Sequence, residues 1–184
     1  MRIIVQFVTL LLTLNGYVLA EEVSTATNSL EQVQKQAEAG DASAQTRLGW
    51  VYANGIGVIV DADKAVEWYQ KAAAQGYAKA QFEIGSIYLT GEGVKKDATK
   101  AVEWYQKAAA QGLAQAQTSL GWMYQNGKGV AKDGVLAYAW HNLAAAQGND
   151  NAKKLRDLTN LNSVQRAEAE QMSANWKQGQ ILSR

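Results

Sequence analysis

Apolar and polar positions along this chain follow a pattern that returns every 36 residues. Ala44, Leu48, Val51 and Tyr52 fall at i, i+4, i+7 and i+8, the single apolar stripe of one helix. Ala65, Trp68, Tyr69, Ala72 and Ala73 fall at i, i+3, i+4, i+7 and i+8, the stripe of a second. The stretch from Lys64 to Gly76 recurs without a change from Lys100 to Gly112. A diverged third copy, Leu136 to Gly148, keeps Ala137, Trp140, Ala144, Ala145, Gln147 and Gly148. The first half of the unit repeats as well: Ala42, Ala44, Gln45, Leu48, Gly49, Tyr52 and Gly55 return as Ala78, Ala80, Gln81, Ile84, Gly85, Tyr88 and Gly91, then as Ala114, Ala116, Gln117, Leu120, Gly121, Tyr124 and Gly127.

Three helix-turn-helix units therefore span 41–76, 77–112 and 113–148, and stacking them predicts an all-α solenoid. Residues 29–40 read as the second helix of a degenerate leading unit, because Lys35, Ala37 and Gly40 keep register with Lys71, Ala73 and Gly76. Residues 149–184 read as capping helices and a tail. A helix over 151–158 would cover the end of the array with Ala152, Leu155 and Leu158. Another, from a capping Ser163 to about Lys177, would turn Val164, Ala167, Met172 and Trp176 inward.

The breaks have their own chemistry. Gly55, Gly91 and Gly127 suit a left-handed helix end, and Asp61, Asp97 and Asp133 suit the N-cap of the next helix. Gly49, Gly85 and Gly121 sit inside helices, where glycine costs about 1 kcal/mol against alanine. They predict close approach by the paired helix. The Gly-x-Gly loops follow a helix, not a strand, so they do not read as phosphate cradles.

Ahead of the repeats, Arg2, the apolar run Ile3 to Leu14 and the small residues Val18-Leu19-Ala20 read as a secretory signal over 1–20, followed by a polar leader over 21–28. Its apolar run is short for a bilayer span of about 20 residues, so cleavage is expected to leave no integral membrane segment and a periplasmic or secreted protein. Composition extends this picture. Proline is absent and 47% of residues are apolar, which favours helices throughout. With no cysteine, stability must come from packing and not from disulfides. Beyond Ala20 the chain carries equal numbers of cations and carboxylates, so nothing points to nucleic acid.

Candidate chemistry is sparse. His141 is the sole histidine, and it stands where Tyr69 and Tyr105 stand in the other units, which predicts a satisfied, partly buried ring. No second His or Cys exists to build a zinc site, and carboxylates alone offer only a loose hard-cation site. No catalytic residue, cofactor or metal is therefore predicted. Glu67 with Lys71, and Glu103 with Lys107, have the i, i+4 spacing of exposed ion pairs.

The spaced pattern read from Ala42 to Gly76 resembles a Sel1-like repeat, a relative of the tetratricopeptide repeat, and the resemblance extends over about residues 29–160. The third unit, Tyr138 to Asn149, resembles the closing unit of bacterial members. The resemblance implies a right-handed superhelix of about three full repeats with helical caps, whose concave surface is lined by first helices. It also implies an adaptor or scaffold in the bacterial envelope or in host interaction. Some secreted members with paired cysteines have been described as penicillin-binding or β-lactamase-like. This chain has no cysteine, so that activity is not carried over. A cell-wall-directed enzyme or peptidoglycan-binding protein, with tryptophans as stacking platforms, stands as the alternative.

On the implied concave face the three units differ while their packing stripe stays constant. The candidates for contact with a protein or peptide partner are Arg47, Trp50, Lys79, Phe82, Ser86, Leu89, Trp122 and Gln125. Trp50, Phe82, Leu89 and Trp122 would form an apolar and aromatic ribbon of the kind that anchors binding hot spots. The competing expectation is that Trp50 and Trp122 pack between units as core.

Overall fold

A computed structural model describes residues 29–184. The expected signal and polar leader lie outside the described residues. Nine helices are present among those residues. Helix α1 covers 29–38. It is followed by α2 (Ala42–Asn54), α3 (Ala62–Ala74), α4 (Ala78–Thr90), α5 (Ala98–Ala110), α6 (Ala114–Asn126), α7 (Gly134–Ala146), α8 (Asp150–Leu158) and α9 (Ser163–Asn175). Helices pack as the pairs α2·α3, α4·α5 and α6·α7, and each pair stacks on the next through α3·α4 and α5·α6. Helices α8 and α9 both close against α7.

Each unit is punctuated by the residues that the sequence marks for it. Gly55, Gly91 and Gly127 end the first helices at φ +68°, +87° and +66°, a region open to glycine and strained for residues with a Cβ. The carboxylates of Asp61 and Asp97 accept the N–H of Lys64 and Lys100 at 3.0 Å each, and Asp133 accepts those of Val135 and Leu136. These contacts satisfy donors that a helix start leaves open. Helices α4 and α6 begin at Tyr77 and Leu113 without a side-chain cap.

The mid-helix glycines mark where paired helices touch. A Cβ on Gly49 would fall 2.9 Å from Tyr69, and one on Gly85 would fall 2.7 Å from Tyr105. On Gly121 it would fall 2.5 Å from His141 Cδ2. Aromatic rings thus lie flush on the backbone of the first helix, and the core builds outward from them. Ala101, Tyr105, Leu120, Met123, Val135 and Trp140 form the largest cluster, which the cap completes with Ala169 and Leu182.

Along the edge where second helices end, glutamines tie the two helices of a unit together and reach the backbone of the preceding unit. Gln75 Nε2 donates to Gly40 O and to Gln45 Oε1, and Gln111 Nε2 repeats both bonds to Gly76 O and Gln81 Oε1. Gln147 Nε2 donates to Gln117 Oε1 at 2.8 Å. The receiving amides are themselves tied back: Gln45 donates to Ala37 O and Gln117 to Ala109 O. The tail ends this series with Gln178 Nε2 on Gln111 O.

The cap departs from its expected register. Asn162, not Ser163, caps α9, in a reciprocal capping box with Gln165. Val164 is 76% exposed and Ala167 is also exposed, while Ala169 and Ser173 take the inward positions beside Met172 and Trp176. At about 100° per residue Val164 and Ala167 lie on a different side of α9 from Met172 and Trp176, so the four do not share one buried stripe. Leu158 likewise points outward, and Thr159 is buried in its place.

The surface pairs differ too. Lys71 Nζ lies 3.9 Å from the centre of the Trp68 ring, and Lys107 stands at the same distance over Trp104. Each lysine folds back three residues onto an aromatic face instead of four residues onto Glu67 or Glu103. A half-buried indole offers both apolar cover for the lysine stem and a negative ring face for its ammonium.

Candidate functional site

At the first end of the array, α1, α2 and α4 enclose a cavity of about 810 Å³. Leu30 and Val33 of α1 and Trp50 and Val51 of α2 give it apolar walls, and Tyr69 of α3 reaches its floor. Charge enters from two helices. Arg47 lies on α2, and Lys79 and Glu83 lie on α4. Arg47 and Lys79 are exposed, and neither pairs with a described carboxylate.

The first two units differ at the back of this cavity. In the second unit the Tyr105 hydroxyl meets Ser86 Oγ at 3.1 Å. Trp50 occupies the Ser86 position in the first unit, so no hydroxyl is offered to Tyr69. Burial pushes the Tyr69 phenol well above its usual range, and the charge of Glu83 adds to the shift. Burial also raises the Glu83 carboxyl, with Lys79 opposing. The cavity therefore holds a phenol kept neutral, a partly desolvated carboxyl and two free cations around an indole.

The sequence candidates divide. Arg47, Trp50 and Lys79 converge on the cavity; Trp50 is 51% exposed, so it is not a core residue. Trp122 is 37% exposed on the third unit, away from the cavity. The expected ribbon is broken between them. Phe82 is half-buried with its ring centre 5.5 Å from that of Tyr105, and Leu89 packs on the same core. Ser86 spends its hydroxyl on Tyr105 and on Phe82 O. Gln125 is half-buried with its Oε1 atom unpartnered. These four belong to packing more than to a reading surface. Thr46 and Thr118, placed by the repeat on the same outer side, are buried, and each bonds the carbonyl four residues back.

His141 is not the satisfied, partly buried ring expected of it. It is fully buried, and neither nitrogen has a hydrogen-bond partner. Burial lowers its pKa from 6.5 to about 4; the nearby Thr118 backbone opposes this without reaching good hydrogen-bond geometry. Among the described residues no cluster of His, Cys, Asp and Glu could hold a metal ion. No described helix is long and apolar enough to cross a membrane.

Sequence reasoning missed Leu30, Val33 and Glu83 as parts of the cavity. One signal was available for Glu83: it is a carboxylate at the position held by Arg47 and Ser119 in the flanking units.

Stacked helix pairs with a groove at one end define an α-solenoid. The chain belongs to the Sel1 repeat family, whose pattern matches residues 42–77, 78–113 and 114–149. Among solved structures it is similar to c5321, a protective antigen present in uropathogenic Escherichia coli strains that displays an SLR fold. Identity is 41% and the TM-score 0.75, over 80% of this chain and 32% of that one. The chain thus spans about a third of the antigen's length. It is also similar to a Sel1 repeat protein from Oxalobacter formigenes, at 44% identity and TM-score 0.65, over 70% of this chain and 97% of that one. Helicobacter pylori cysteine rich protein B shares the fold at 23% identity and TM-score 0.57, over 71% of this chain and 94% of that one. No curated protein matches the chain.

Proposed function

We propose that this chain is a non-catalytic scaffold or adaptor, exported to the periplasm or beyond, that binds a protein or peptide partner through the groove of its first unit. The observation that carries this reading is the cavity of about 810 Å³, where the exposed Trp50 stands beside unpaired Arg47 and Lys79. Its size suits a few side chains of a partner. An indole with a neighbouring guanidinium is the composition in which binding energy concentrates. The non-catalytic reading draws support from His141, the sole histidine, which is fully buried against Gly121 and does not line the first-unit cavity.

Capture of partners from the exported fraction on immobilised protein tests the reading. Trp50→Ala and Arg47→Ala should each weaken a stoichiometric protein partner at least tenfold with unchanged thermal unfolding, because both side chains are exposed. Turnover of a β-lactam reporter, or retention on peptidoglycan that survives both substitutions, would count against it.

A further inference from the structure

The three interhelix loops share a geometry but not a chemistry. Ile56, Val58, Ile59 and Val60 in the first stand where the second has Glu92, Val94, Lys95 and Lys96. The third has Lys128, Val130, Ala131 and Lys132. The valine common to all three is half-buried and anchors each loop. Ile56 borders the first-unit cavity, while the tip faces outward: Ile59 is 90% exposed and Val60 61%. The second loop folds the same way with lysines at both tip positions, and the third with Ala131 and Lys132, so the fold does not require this apolar tip.

The loops run side by side. A Cβ on Gly57 would lie 3.7 Å from Leu30 Cδ2, and one on Gly93 would lie 3.0 Å from Ala62 Cβ, while Gly129 abuts the Ala98 backbone. Each loop leans on the helix of the preceding unit, which sets all three along one edge. On that edge Lys95, Lys96, Lys128 and Lys132 are exposed and pair with no described carboxylate. The acidic groups nearby are largely committed. Asp61, Asp97 and Asp133 accept helix N–H groups, and Asp61 and Asp133 also meet Lys64 and Arg184. Among the described residues, exposed Asp63, loop residue Glu92 and Glu31, next to Leu30, are uncommitted carboxylates near this edge, against four ammonium groups without an ion pair.

We propose that this loop edge docks on an anionic lipid bilayer, with Ile59 and Val60 entering the boundary between headgroups and acyl chains and the lysines resting on the headgroups. The tip protrudes and neither residue lines a cavity. It offers aliphatic carbon without the aromatic or arginine anchors of a protein hot spot. Lysines beside an apolar wedge match a surface that is negative outside and hydrocarbon beneath. The backbone N–H groups of 57–60 donate no backbone hydrogen bond, which limits the depth of entry. They need water, so the contact stays interfacial. Ile59 and Val60 lie outside the lining of the first unit's groove, which the same loop borders through Ile56 and Gly57.

The absence of cysteine allows a local test in the full chain. Ile59→Cys, labelled with a polarity-sensitive fluorophore, should shift to the blue with phosphatidylglycerol-containing vesicles and not with pure phosphatidylcholine. Raised salt should reverse the shift. The same label at Ala74→Cys, at the far end of α3, should not respond. In vesicle flotation, I59K/V60K installs side chains that the second loop already carries and adds positive charge. Insertion predicts at least a tenfold loss of binding despite that charge. Absence of a shift at position 59 with anionic vesicles, or undiminished flotation of I59K/V60K, overturns the proposal. A shift at position 59 produced only by a soluble protein also overturns it, assigning the edge to protein docking.

Discussion

Trp104 and Trp140 occupy the same position in successive repeats but not the same environment. Trp104 is half-buried, with Lys107 laid across its ring. Trp140 is fully buried and its indole nitrogen has no partner. Next to them, Tyr105 reaches Ser86 with its hydroxyl, whereas His141 carries two ring nitrogens into the core unanswered. An inner unit is flanked by further units and leaves part of its second helix to solvent. The last unit is closed by α8 and α9, and this cover buries Trp140 with its indole nitrogen unpartnered, whereas His141 holds a position that Tyr69 and Tyr105 show to be buried in every unit. The repeat dictates where an aromatic side chain goes, and the cap decides what it costs there.

The largest test of this contrast is truncation of the two tryptophans. Trp140→Ala should lower stability by about 3–5 kcal/mol, the range for large core aromatics, and Trp104→Ala by clearly less. Denaturant unfolding of both variants checks the order, and equal losses would break the contrast. Acid comes next. The folded state holds His141 neutral down to about pH 4, whereas the unfolded chain binds a proton near pH 6.5. Its stabilising neutrality is complete above pH 6.5 and is lost as the pH falls from there toward 4. A gap of about 2.5 pKa units at about 1.4 kcal/mol each sets the full loss at about 3.5 kcal/mol, most of it reached by pH 4.5. His141→Tyr restores the side chain that the other units place on their glycine, and urea unfolding at pH 7 and pH 4.5 should then show a smaller acid loss. The smallest effect belongs to the lysine lids. Lys107→Ala should cost about 0.5–1 kcal/mol through the ring contact, while Glu103→Ala should change stability little, which double-mutant cycles can separate.

Much of this architecture was legible in the sequence, because each boundary is written more than once: Gly55, Gly91 and Gly127 end helices, and Asp61, Asp97 and Asp133 begin them. Repetition gives the period, and the stripes give the buried faces. What escaped lies where one spacing permits two partners or where a copy departs from its siblings. Lys71 could meet Glu67 four residues back or Trp68 three back, and the choice depends on how much of the indole the next helix leaves open. Phe82 stands at a position held by Thr46 and Thr118, so variation there marked a reading surface when it reflected a different way of filling the same space. Of the candidate site, Arg47, Trp50 and Lys79 were found through that variation. Leu30 and Val33 were not, because the leading unit repeats too weakly to place its helix against α2. In the tail nothing repeats to check a stripe, and the expected stripe groups Val164 with Met172 and Trp176 although their spacing sets them on different sides of α9.

The glutamine clips along the second-helix edge have a consequence for how such a chain can change length. Gln75 and Gln111 each reach back 35 residues to a glycine carbonyl and 30 to a glutamine. Gain or loss of a few residues inside the paired helices would move these amides off their partners. Insertion or removal of one entire unit would present every clip with the partner it had before. The hydrogen-bonded edge thus acts as a ruler that accepts whole modules and rejects fractions, and the array can be lengthened by copying without a new interface being invented.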